Sequence, residues 1–560
     1  MQFRSAMTLI VSLGLFPLSG RAQLTTLSPA TDSGRSTVYA PNGVIATSQP
    51  LATSAGLEVM RTGGNAIDAA VAAAAVLNLT EPHMTGIGGD MFALLWSERD
   101  GRLVGMNAAG PAGSLMTRDE IIRRGHDDVP GSGPEAVTVP GALAGWNALL
   151  ERYGTLTLAD VLAPAIRLAE GGFPVSPIIA RDWDGQVEKL ARYPGSVRTF
   201  LVDGERAPRA GEWFRNPELG STFRTIAQDG ISTFYGGELG RRLVDGLAEL
   251  GGFLTYEDLQ SVRVEWVDPV GVEYQGYKLY ELPPPGQGIA ALQMLRLLDG
   301  IDLKAMGHNS VEYLHHLIEA KKIAYADLAG HVADPNYMRV AVEDLLADDY
   351  IEARRVLLDP RTAAERVDPG EAFTESETIY LAVADADGNM VSFINSIFGY
   401  FGSGVSIPGL GFALQNRGAG FTLDADHPNT VAPGKRPFHT LVPAFATRLT
   451  PGGEEPWMAF GVMGGGMQPQ GHVQVLLNQI LFGMDPQEAN DAARFQHSSG
   501  RRVGFEAPVP TEVLDELASM GHEVSSSRTA AFGGSQMVVR LERGWAASSD
   551  VRKDGHAAGY

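Results

Sequence analysis

Three consecutive glycines, Gly464-Gly465-Gly466, close an apolar run over 457–463 that reads as a strand. A helix is expected from about Pro469, whose ring suits a first turn. Glycines at such a junction leave backbone N–H groups free to face an anion. No Lys-Ser or Lys-Thr pair follows, so the run is not a nucleotide phosphate loop, and taken alone it is equally a tight turn. A second stretch begins at Thr378. Residues 378–385 alternate as a strand does, Asp387-Gly388-Asn389 turns the chain, and 390–394 returns as a hairpin partner. A threonine hydroxyl is a poor nucleophile near neutrality and needs a base within hydrogen-bond reach. A free α-amine, with a pKa of about 8, is such a base only on a residue that begins a chain. By itself any one threonine reads as structural.

Other chemistry is excluded or weak. The chain has no cysteine, which removes disulfides, thiolate metal sites and cysteine nucleophiles. His315 and His316 fall inside a helix expected over about 310–329. Adjacent histidines cannot share a helix face, so they read as a surface-plus-core pair and no metal is assigned. No cofactor motif is read.

The elements that must position these residues belong to a mixed α/β chain without repeats. Of 560 residues 44% are apolar, ample for a large core, and the 67 glycines and 33 prolines make it turn-rich. The net charge of −22 repels phosphate backbones, so no nucleic-acid partner is expected. Residues 1–22 carry Arg4, an apolar run from Met7 to Leu18 and small residues ending at Ala22. They read as a signal peptide, with an uncleaved anchor as the alternative, and place the protein in the periplasm or outside the cell. No second apolar stretch is long enough to span a bilayer, so no stable membrane insertion is expected after leader removal. Asn65 caps a helix of small side chains, AIDAAVAAAAVLNL, suited to close packing on a sheet. VEYQGYKLYEL (272–282) reads as a strand, and Pro283-Pro284-Pro285-Gly286 after it as a loop within one fold.

Taken together, several stretches resemble the γ-glutamyltransferase family of N-terminal-nucleophile hydrolases. They are GGNAIDAAVAAAAVLNLTEPHMTGIGGDMF (63–92), VPGALAGWNALLERYG (139–154), LAPAIRLAEGGFPVS (162–176) and LPPPGQGIAALQML (282–295). Later in the chain come DADGNMVS (385–392), FGSG (401–404), LQNRGAGF (414–421), GKRP (434–437) and MGGG (463–466). The resemblance implies a four-layer αββα sandwich, an α/β (α+β) fold. It also implies a precursor that cuts itself between Glu377 and Thr378 into a large subunit, 23–377, and a small one, 378–560, which stay together as a heterodimer. Self-cleavage would then create the amine that the threonine lacks. By the same resemblance Ser396 supports the nucleophile, although a strand serine bonding its own backbone reads equally well. Gly464 and Gly465 match the pair whose N–H groups hold the oxyanion.

The departures concern the acyl pocket. The family's carboxylate-clamping arginine falls at Asn107, its serine pair at His439 and Thr440, and its amine-receiving groups at Phe398, Arg417 and Gly420. An arginine there repels an ammonium and attracts an anion, unless it is spent on a structural salt bridge. His439 reads either as a substrate contact or as a packed loop residue. The segment between Phe421 and Lys435, a lid in many relatives, is short. The expected activity is cleavage of γ-glutamyl or related acyl amides, mainly by water, with a small-molecule amide as partner. One alternative is an acylase for anionic, non-glutamyl acyl groups, of the cephalosporin-acylase or oxamate-hydrolase kind. The other is an unprocessed periplasmic binding protein of the same fold.

Overall fold

The computed structural model describes residues 34–367, 378–527 and 532–560. The expected leader and Glu377 lie outside the described residues. Two seven-stranded sheets form the centre. One runs, edge to edge, Val38–Ala40, Trp545–Ser549, Gly534–Arg540, Gly453–Met463, Ala444–Thr450, Tyr277–Glu281 and Val270–Tyr274. The other runs His556–Gly559, Val44–Thr47, Ile379–Ala384, Met390–Ser396, Asp90–Ser97, Arg102–Ala108 and Glu265–Val267. Every neighbouring pair in both is antiparallel. The sheets meet face to face where the Tyr380 ring lies on Gly461. A Cβ at residue 461 would sit 2.5 Å from that ring, so only glycine lets the two strands approach this closely.

The helix Ala66–Thr80 covers the second sheet, and all fifteen of its residues are buried. Its small side chains follow from that position, since an added methylene in such packing costs about 1–3 kcal/mol. Asn65 caps it by accepting from the N–H groups of Ile67 and Asp68, and Asp68 returns the bond to Asn65. The carboxylate of Asp385, in the hairpin turn, accepts from Ala66 N at 2.8 Å and ties the helix start to the hairpin. On the opposite side Ile289–Leu298 and Met467–Ile480 lie on the first sheet, with Val311–His331 packed outside them. The order helix, sheet, sheet, helix is the expected αββα sandwich. Among the described residues no helix is long and apolar enough to cross a membrane.

Two expectations need correction. The segment 272–282 is not one strand: Gln275 (φ 50°) and Gly276 (φ 82°) turn it into a tight hairpin between Val270–Tyr274 and Tyr277–Glu281. His315 and His316 are both buried, because the helix that carries them is enclosed on all sides from Tyr313 to Leu328. His315 Nδ1 pairs with His522 Nε2 at 2.9 Å, and His316 Nδ1 with the Glu312 carbonyl at 2.7 Å. Glu319 approaches the first pair, but its oxygens are taken by Lys322 Nζ (2.7 Å) and Ala364 N (3.1 Å).

Candidate active site

Thr378 stands one residue before the strand Ile379–Ala384. That strand pairs Ile379 with Asn395, so the next rung places Thr378 opposite Ser396, and Ser396 is in turn paired with Asp90. One row across three strands therefore holds a threonine, a serine and an aspartate. The Thr378 hydroxyl is buried and has no hydrogen-bond partner among the described residues. Thr85, Thr138, Ser406 and Ser535 also carry unpaired buried hydroxyls, so it is the place of Thr378 in this row, beside Ser396 and Asp90, that sets it apart.

Ser396 Oγ accepts from two donors, Phe398 N at 2.7 Å and a terminal nitrogen of Arg417 at 3.2 Å. The first bond requires a sharp return of the chain, which Phe398 makes at φ 78°, a left-handed conformation that costs a bulky residue energy. The Phe398 ring then lies under the Arg417 guanidinium, 4.4 Å from its carbon. Arg417 opens a short turn, Arg417–Gly420, and is fully buried. Its other terminal nitrogen donates to Thr440 Oγ1 at 2.9 Å, while its Nε has no partner. Burial lowers its pKa to about 9, so it stays cationic at neutral pH.

The nearby carboxylate of Asp90 does not pair with Arg417. Its Oδ1 accepts from Gly110 N (2.9 Å), Gly141 N (3.1 Å) and Gln415 Nε2 (3.2 Å). Its Oδ2 faces His439 Nε2 at 3.1 Å. Because His439 Nδ1 accepts from Leu441 N at 3.3 Å, the proton sits on Nε2 and is donated to Asp90. Burial first, and then the Arg417 charge, push the His439 pKa down to about 4 and keep the ring neutral. Both its nitrogens are thus engaged within the protein.

The glycine run lies at the end of Gly453–Met463, with Gly464 at φ 114° and Gly465 at φ 53°. All three carbonyls are occupied: Gly464 O by Met467 N, Gly465 O by Gln468 N, and Gly466 O by the Tyr325 hydroxyl at 2.6 Å. The N–H groups of Gly464 and Gly465 donate to no described backbone carbonyl. Gln287 ties this loop to the rest of the site, since its Nε2 donates both to Gly465 O (2.9 Å) and to Thr440 O (2.7 Å). A continuous path therefore runs from Gly465 through Gln287, Thr440 and Arg417 to Ser396, beside Thr378.

Two of the sequence-derived residues stand apart from that path. Asn107 lies in the same sheet, paired with Phe92, but its Oδ1 is spent on Ala109 N at 2.9 Å. Gly420 acts through its size: a Cβ there would meet the Phe438 carbonyl at 2.7 Å, so glycine lets the 417–420 turn press against the 438–440 loop. Asp90 and Gln287 were not singled out from sequence, although both lie in stretches that carried the resemblance (GIGGDMF and LPPPGQGIA).

The family profile described as Gamma-glutamyltranspeptidase matches residues 52–560. The chain belongs to this family. Among curated proteins, the Glutathione hydrolase-like YwrD proenzyme of Bacillus subtilis is 37% identical, over 91% of this chain and 97% of its own length. The Oxamate amidohydrolase proenzyme of Klebsiella pneumoniae is also 37% identical, over 93% and 98%. Among solved structures, cephalosporin acylase from Bacillus halodurans superposes with a TM-score of 0.89 at 42% identity, covering 94% of this chain and 98% of that one. The γ-glutamyltranspeptidase-family chain is thus an amidohydrolase with the N-terminal-nucleophile fold, and the names of its relatives as proenzymes accord with a self-cleaving precursor.

Proposed function

We propose that this family member cuts its own chain before Thr378 and then hydrolyses amides whose acyl group ends in an anion and lacks an α-amino group. The observation that carries the substrate reading is Arg417. Among the described residues this guanidinium is fully buried, bonded only to two hydroxyls and stacked on one ring, with an open Nε and no carboxylate in direct contact; Asp90 offsets its charge only from a distance. A carboxylate on the substrate would supply the missing partner, with about 1.5–3 kcal/mol per charge-assisted bond. An ammonium group at the same place would be repelled.

In the first stage Thr378 Oγ attacks the Glu377 carbonyl carbon, and the C–N bond to Thr378 breaks to give an ester on Oγ. Water hydrolyses that ester, freeing the Glu377 carboxylate and the Thr378 α-amine. In turnover the amine takes the Oγ proton, and Oγ attacks the substrate carbonyl. The N–H groups of Gly464 and Gly465 hold the oxyanion. Collapse expels the leaving amine, which carries away the proton, and water then cleaves the acyl ester with the Thr378 amine as base. Ser396, on the next strand, orients the nucleophile, and Arg417 holds Ser396 from the 417–420 turn. Asn107, neutral and engaged locally, offers no second clamp for a carboxylate. We also propose export through the leader, and water in preference to an amine acceptor, in keeping with the short 421–435 segment.

A γ-glutamyl donor is the competing reading, favoured by the name of the Bacillus subtilis relative, a glutathione hydrolase-like proenzyme. Comparison of kcat/KM for glutaryl and γ-glutamyl anilides decides between them. Glutaryl is expected to be preferred, and equal or faster γ-glutamyl turnover would overturn the assignment of Arg417.

A further inference from the structure

Away from Thr378, a cavity of about 970 Å³ opens between the helix Val311–His331, the hairpin formed by Phe495–Ser499 and Arg502–Glu506, and residues 364–367. Its lining is basic in a chain of net charge −22: five of its fifteen residues are Lys or Arg, against two glutamates. Some of that charge is matched. Lys322 pairs with Glu319 at 2.7 Å, and Arg501 with Glu365 at 3.2 Å. Two cations of the lining, one on the helix and one on the hairpin, have no carboxylate partner among the described residues. Lys321 is buried, and its Nζ donates to His497 Nδ1 at 2.8 Å while lying 3.8 Å from the centre of the Tyr325 ring. His497 is fixed as an acceptor there because its Nε2 donates to the Gly500 carbonyl. Arg502, exposed at the rim, reaches only Ser499 Oγ at 2.6 Å.

A buried ammonium whose one strong partner is a neutral imidazole is poorly compensated. With a second cation, Arg502, lining the same volume without a carboxylate partner among the described residues, it makes a seat for a dianion. We infer that this cavity is a binding site for a small polyanion, a compound with two or more carboxylate or phosphate groups, held between Lys321 and Arg502. The same wall touches the proposed oxyanion loop, since the hydroxyl of Tyr325 holds the carbonyl of Gly466.

The site carries its own proton signature. Lys321 faces Lys322 and Glu319 on its own helix, His497 and Arg501 on the hairpin, and Glu365 and Arg366 on the segment opposite. Glu523 lies beside Arg502, as its register partner on the neighbouring strand. Burial, with Lys322 adding to it, lowers the Lys321 pKa to about 7. An anion seated against the ammonium favours the charged form, so binding at pH 8 is accompanied by proton uptake.

The test is calorimetric titration of citrate and of inorganic phosphate into the full protein at pH 8, in two buffers of different ionisation heat. One or both are expected to bind at a single site with a Kd below about 1 mM. Proton uptake accompanies the binding and is absent in Lys321→Met, whose affinity falls about 10-fold with one charge-assisted bond lost. Arg502→Gln, at an exposed position that leaves the fold undisturbed, is expected to weaken binding about threefold to tenfold and keep the proton uptake. Absence of saturable heat with both anions overturns the inference. So does binding that both variants leave unchanged, or binding without proton uptake in the wild type.

Discussion

Arg417→Met is the most informative single change, because the side chain has two separable roles. Methionine fills much of the same volume without charge. The substitution removes the bonds to Thr440 and Ser396, but neither hydroxyl's residue is cast loose. Ser396 keeps the Phe398 N–H at 2.7 Å, and Thr440 stays held through its carbonyl by Gln287. That shared loss acts on every substrate alike and cancels in the ratio of two substrates. For a glutaryl amide the variant also loses one or two charge-assisted bonds to the acyl carboxylate, about 2–4 kcal/mol, or about 30- to 900-fold in kcat/KM. The assay compares glutaryl and pentanoyl anilides, matched in acyl chain length, on the processed fraction of each protein. The ratio glutaryl/pentanoyl should collapse by that factor, and Arg417→Lys should recover part of it through a single bond. If both substrates fall together, Arg417 is a structural tie and the anionic-acyl reading is refuted.

Mass analysis of the wild-type protein should give two chains joining at 377/378, and Thr378→Ala a single inactive chain; a fully active uncut wild type contradicts the nucleophile assignment. Gly464→Val places a branched side chain at φ 114° and disturbs an oxyanion donor, so kcat should drop about 100- to 1000-fold with KM nearly unchanged. Gln287→Leu unties Gly465 from Thr440 and is expected to lower kcat about tenfold at constant KM, which steady-state kinetics on correctly processed protein would reveal. His439, held at about 4 in the fold against about 6.5 in an unfolded chain, binds its proton more readily when unfolded. Its contribution to stability is complete above pH 6.5 and is lost as pH falls towards 4. The pH dependence of denaturant midpoints should therefore flatten in that window in His439→Gln, by up to about 1.4 kcal/mol per pH unit.

Local pattern made the machinery around Thr378 legible. Alternation marked the strand, Asp387-Gly388-Asn389 marked the turn, and three glycines marked a strand-to-helix junction. The αββα order followed from the family resemblance and not from periodicity. What escaped a linear reading was carried by contacts between distant segments. Asp90 meets His439 across 349 residues, and Gln287 meets Gly465 across 178. Neither residue type announces such a partner. The sequence likewise left Arg417 open to a salt bridge. Three-dimensional arrangement narrows this, because Asp90, the nearby acid among the described residues, already serves two glycine N–H groups, Gln415 and His439. His315 and His316 misled for a related reason: helix periodicity tells which side faces a sheet, but not that further elements will cover the other.

The order of strands has a consequence for how this protein is made. Val44–Thr47 lies between His556–Gly559 and Ile379–Ala384, so Thr47 is paired at once with His556 and Leu381. In the other sheet Val38–Ala40 and the 270–281 hairpin flank four strands drawn from beyond residue 440. The proposed cut before Thr378 would therefore yield fragments that are woven together, not docked. Their union has no dissociation constant in the ordinary sense and does not respond to dilution, since parting them means unravelling both sheets. Once unravelled, the fragments no longer share the covalent tether that made their strands find each other within one molecule. Assembly would then be a one-way construction: the uncut Thr378→Ala chain is expected to refold from denaturant, whereas the two separated chains would face a bimolecular search that favours aggregation, which light scattering during refolding would check.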